Sequence, residues 1–200
     1  MNTRIIALAA SLALVLGSNT VHSATITWTN IAGGNWSVAA NWNPNQVPGS
    51  NDTANVTVAG TYAITLNVNA NVSSLTIGGA GSGVQTLQGS SFALIATNAV
   101  INSGGVLNLT NSTFAGTLAV AGGAVFNANG MTIMGPTTVA GGAVLNLTGG
   151  VDFGNGTAAD TNYWLWVQSG GIVNSSLGAL LSYVAVTNSG TINQTNYSIT

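Results

Sequence analysis

In 200 residues the chain carries a single Lys or Arg, one His, three acidic residues and no Cys, while 46% of it is apolar. A chain of this length forms one domain around one continuous core, and without cysteine that core receives no support from disulfides. Phosphate recognition rests on Lys and Arg, so the charge count excludes nucleic acid and anionic membrane surfaces as partners.

Residues 1–24 read as a cleavable secretory signal: Arg4 in a basic start, an apolar run over 5–17, and small residues that suit cleavage after Ser23 or Ala24. The run is too short for the ~20 residues that span a bilayer. A secreted or cell-surface location follows. Cleavage removes Arg4 and His22 and leaves Asp52, Asp152 and Asp160 as the carboxylate side chains.

Residues 25–59 form an N-terminal cap region, with Trp28, Gly33-Gly34-Asn35-Trp36-Ser37, Asn41-Trp42, Val47-Pro48-Gly49 and Asp52-Thr53-Ala54. Its three tryptophans are expected to cover the open end of a core, with sugar stacking as the competing use. Asp52 lies in a Pro-Gly-Ser-Asn-Asp stretch, where a carboxylate bonds backbone N–H groups in a turn.

From residue 60 to 200 the sequence reads as stacked rungs of roughly 19 residues, clearest in rows 98–116, 117–135, 136–154, 164–182 and 183–200, with an insertion at 155–163. The fourth column is Ile101, Val120, Val139, Val167 and Val186; the tenth is Leu107, Phe126, Leu145, Val173 and Ile192. The seventh holds Gly104, Gly123, Gly142, Gly170 and Ser189, which marks a corner. A lone row cannot bury its apolar side, but rows stacked as parallel strands ~4.8 Å apart share an interior. The predicted fold is all-β: a single-stranded parallel β-helix with a Trp-rich N-terminal cap. A helical reading fails for want of a 3.6-residue stripe, and an antiparallel sandwich would not require one residue type at a fixed column.

Column eleven is Asn in every row: Asn108, Asn127, Asn146, Asn174 and Asn193. Two readings stand, an internal amide ladder bonded rung to rung or an outward polar file, and strand alternation favours the outward one. The Asn-x-Thr triplets that result follow from the rung period and are read as structural before they are read as glycosylation acceptors.

The three Asp residues supply no acid–base pair with a base to match, and the mature chain has no Lys, Arg, His or Glu to take a proton. Asp152 and Asp160 flank the insertion, but they lack the Gly-rich nonapeptide calcium motif. No catalytic residue, metal ligand or cofactor is assigned. The candidate ligand-binding residues are Tyr163, Trp164, Trp166 and Tyr183: with Val167 inward, alternation sends Trp164 and Trp166 outward, and Tyr183 falls in the column of Trp164 one row on. Such a platform suits a glycan or a surface protein. The competing arrangement has the insertion fold back over the rings.

The cap motifs and the Gly/Asn/Thr-rich rows resemble the start of bacterial autotransporter-type passengers and related exported β-helix repeat proteins, and less closely the eight-glycine domain of secreted and surface proteins. The motif-bearing residues cover about a quarter of the chain and the rows about half. The resemblance implies architecture and export rather than chemistry. Autotransporters continue into a C-terminal β-barrel, whereas this sequence reaches Thr200 within its fifth row. The expectation is therefore a fragment of a longer passenger, or a last rung that associates end to end with another molecule. The predicted function is an exported, non-enzymatic structural or adhesive segment, with a carbohydrate-binding module as the alternative.

Overall fold

The structure, a computed structural model, describes residues 22–79, 81–154, 163–176 and 184–195. The chain is a parallel β-solenoid. Among the described residues, eleven strands form one sheet and eight form a second. One strand pair is antiparallel, Trp42–Asn43 against Thr25–Trp28, and it closes the sheet edge at the N-terminal end. An unpaired edge would otherwise offer its N–H and C=O groups to another chain.

Alternation within each strand accounts for the interior. In Gly105–Thr110, Leu107 and Leu109 point inward while Val106, Asn108 and Thr110 point out. Successive rungs repeat this in register: Leu107 lies opposite Phe126, Phe126 opposite Leu145, Leu145 opposite Val173, and Val173 opposite Ile192. On the other sheet Val56, Ile77, Ile101, Val120, Val139 and Val167 form an equally continuous inward file. Each side chain thus packs on its counterparts above and below, and among the described residues one buried cluster runs from Ile26 to Val173.

A rung has three straight segments, clearest in Thr132–Met134, Thr137–Val139 and Val144–Thr148. Three corners separate them, and each corner stacks on the next. The predicted glycine corner is present, with φ of 76° at Gly104, 78° at Gly123 and Gly142 and 79° at Gly170. A second corner passes through Gly116 (φ 124°) and Gly135 (φ 152°). Here a side chain is excluded outright, because a Cβ on Gly116 would run into the backbone carbonyl oxygen of Ala96. The third corner was not read from sequence. It is built by Ser91, Asn111, Gly130 and Gly149, all left-handed, and its first two members hide it from any search for glycine.

The 19-residue period holds between Ile101 and Val120 and between Val120 and Val139, but the earlier rungs are longer. The fifth row departs from the expected columns. Trp164 lies opposite Ala185, Leu165 opposite Val186 and Val167 opposite Asn188, so Val186 does not continue column four and Tyr183 does not fall over Trp164. The second sheet keeps its register, with Val173 opposite Ile192. The corner between them absorbs the two-residue shift: residues 168–171 separate the strands of the fourth row, whereas Ser189 and Gly190 alone do so in the fifth. Ser189 stands where the other rows have a left-handed glycine, and the shorter turn dispenses with that conformation.

Candidate functional site

The N-terminal tryptophans belong to the core. Trp28 and Trp36 are fully buried and Trp42 nearly so. The ring of Trp42 sits edge-on to both of the others, at centroid distances of 5.0 Å from Trp28 and 4.7 Å from Trp36. Buried indoles need acceptors. Trp28 Nε1 donates to the carbonyl of Asn30 at 2.7 Å, and Trp42 Nε1 donates to that of Trp36 at 2.9 Å. This cluster offers no face to a sugar.

Asp52 is a turn residue, as its sequence context indicated. Its carboxylate accepts the backbone N–H of Gly49 at 2.8 Å, the backbone N–H of Ala24 at 2.9 Å and Nε2 of Gln46 at 3.3 Å. Asp152 is exposed on the short strand Asp152–Phe153, and Asp160 lies outside the described residues. Asp52 adjoins the strand Thr53–Val56, five strand spacings from Asp152, or ~24 Å at ~4.8 Å each. Among the described residues no three His, Cys, Asp or Glu come together as a metal site.

Of the four aromatic candidates, the structure places three on neighbouring positions of one rung. The strand Trp164–Val167 alternates as expected: Leu165 and Val167 are fully buried, whereas Trp164 and Trp166 are 37% and 42% exposed. Two residues apart on one strand, the indoles project from the same face at a spacing of ~6.6 Å. Thr187 lies opposite Trp166 in the next strand and lines a shallow cleft with both rings. In the preceding strand the residue opposite Trp166 is Thr138, so this indole lies between two threonines. Thr187 was missed in the sequence because its position depends on the shifted fifth row. Tyr183 lies outside the described residues, and the partner of Trp164 in that row is Ala185. Residues 155–162, the greater part of the insertion expected to cover these rings, are likewise outside.

Tyr163 occupies the corner column of Gly116 and Gly135. Its ring lies against Gly154, where an added Cβ would come within 2.9 Å of Cδ2. The two glycines of that column lie in an open depression along the corner, lined also by Ile95, Thr97, Thr117, Pro136 and Tyr163 itself. Tyr163 of the depression and Trp164 of the cleft are consecutive residues of one rung.

The asparagine file combines the two arrangements that sequence reasoning had set against each other. It faces outward, and it is bonded from rung to rung: Asn127 Nδ2 donates to Asn108 Oδ1 at 2.7 Å, Asn146 to Asn127 at 2.7 Å, Asn174 to Asn146 at 2.8 Å and Asn193 to Asn174 at 2.9 Å. The bond from Asn174 to Asn146 joins rungs that the insertion separates in sequence, so the ladder is continuous there.

Fold and site together define a parallel β-solenoid with an outward aromatic pair on one side and an amide ladder on another. Comparison with family models, curated proteins and solved structures found no match.

Proposed function

We propose that this chain is an exported, non-enzymatic solenoid segment of a secreted or cell-surface protein, a rigid scaffold that makes adhesive contact through Trp164 and Trp166. The observation that carries the reading is the outward projection of both indoles from a strand whose alternate residues are locked in the core. Rings held this way lose little freedom on binding, and large aromatic faces dominate contact energies. The wide separation of Asp52 and Asp152, with Asp52 already committed to three donors, supports a protein that binds rather than reacts. The signal-like residues 1–24 support export.

A glycan is the second reading, favoured by the hydroxyl of Thr187 beside the two ring faces and by a surface nearly free of charge. The test is retention of the exported protein on immobilised polysaccharides and on bacterial cell envelopes, alongside Trp164→Ala/Trp166→Ala. The double variant should lose ~10-fold or more in affinity while its melting temperature stays within a few degrees of wild type. Undiminished retention by the variant would remove the adhesive role from these rings.

A further inference from the structure

Asp52 is 5% exposed, and its Oδ1 accepts the backbone N–H of Ala24 at 2.9 Å while Oδ2 accepts Gly49 N–H and Gln46 Nε2. Neutral donors satisfy the oxygens of that carboxylate but leave its negative charge without a counter-charge. Beyond His22 the sequence contains no Lys, Arg or His, so no cationic side chain exists there to meet it. The one cation that processing could create is an α-ammonium group.

We infer that the chain is cut between Ser23 and Ala24, and that the new ammonium of Ala24 forms an ion pair with Asp52 that pins the strand Thr25–Trp28 to its parallel neighbour Thr53–Val56. This rests on the export reading given above. Hydrolysis of the Ser23–Ala24 amide by a signal-cleaving endoprotease consumes one water. Ser23 leaves as the carboxylate end of the removed peptide, and the freed amine of Ala24 takes up a proton at neutral pH. The nitrogen that now donates as a neutral amide then donates to the same oxygen with a full positive charge, which adds a direct Coulomb attraction to a bond so far assisted by the carboxylate charge alone.

Geometry selects this bond over its neighbour. His22 and Ser23 are exposed and precede the first strand, Thr25–Trp28. Ala24 is anchored twice, its N–H on Asp52 and its carbonyl accepting Thr53 N–H at 2.8 Å. Cleavage after Ala24 would discard both bonds and leave Asp52 Oδ1 without its strand partner. Cleavage after Ser23 keeps both and charges one of them.

The experiment begins with the full chain, signal included, made in an exporting bacterial host, and the intact mass of the exported product. A product starting at Ala24 is expected. A start at Thr25 or beyond overturns the assignment and leaves export intact, whereas a chain that is neither cut nor exported overturns the export reading itself. Next, the α-amine of the product is acetylated, a modification confined to one amine because the chain has no lysine. Acetylation should lower the melting temperature by about 2–4 °C, the shift that ~1 kcal/mol produces in a domain of this size, and Asp52→Asn should abolish that difference. If Asp52→Asn does not fold, the acetylation shift in the wild-type protein decides alone. An acetylated protein that melts with the unmodified one overturns the ion pair.

Discussion

Asn127, Asn146 and Asn174 each donate a hydrogen bond to the rung before and accept one from the rung after, while Asn108 accepts and Asn193 donates at the two ends, so the bonds of the file all run the same way. A chain of amides aligned in this manner polarises each bond along its length. Asn127→Ala removes two such bonds and should cost ~1–2 kcal/mol, whereas Asn193→Ala, at the exposed end of the file, should cost ~0.5 kcal/mol or less; urea denaturation of both variants measures the contrast. The column itself was legible in the sequence because one residue type recurred in five rows. Its bonding was not, because parity along a strand tells which way a side chain points and says nothing of what stands 4.8 Å above it.

Tyr62 gives a second residue-level expectation. Its ring is buried, its hydroxyl donates to the Val58 carbonyl at 3.1 Å, and burial raises its pKa above the ordinary 10.0. The folded chain therefore holds the phenolic proton to higher pH than the unfolded chain does. The associated stability is complete below pH 10.0 and is lost as pH rises through the folded value. Thermal melts between pH 9 and about pH 11.5 should show this loss, and Tyr62→Phe should fall less steeply over the same range.

At the level of elements, the corners decide where strands begin and end. Gly116 has neither the space nor the backbone conformation for a side chain. Gly116→Ala should therefore destabilise the protein by ~2 kcal/mol or more, visible as a lower urea midpoint, while alanine at exposed Ser103 should change little. The rows containing glycine at column seven were read correctly because that residue type announces the left-handed turn. The fifth row was misaligned by two residues where Ser189 replaces it, and the third corner was missed where Ser91 and Asn111 adopt the same conformation with a side chain. The error passed into the candidate site: it placed Tyr183 over Trp164 and overlooked Thr187. The outward turn of Trp164 and Trp166 survived because it depends only on alternation within one strand.

For the whole molecule, stability is close to a sum over rungs and the surfaces between them, since each rung touches its neighbours alone. A rung that matches its neighbours column for column can then be removed without remaking the core. Deletion of 117–135 joins Gly116 to Pro136, brings Leu107 opposite Leu145 and sets Asn108 against Asn146, keeping apolar on apolar and amide on amide. The shortened chain should retain the circular dichroism of a β-solenoid and melt cooperatively. Deletion of 117–126, which cuts through a rung, should leave it unfolded.

The register of the rungs makes reach a quantity separate from fold. An unequal recombination event that duplicates or drops one 57-nucleotide unit would move the Trp164–Trp166 pair by ~4.8 Å along the axis and leave both the pair and the cap as they were. In a protein displayed at a surface, the distance at which contact is made could in this way be lengthened or shortened in uniform steps, with no new architecture to be found at any step.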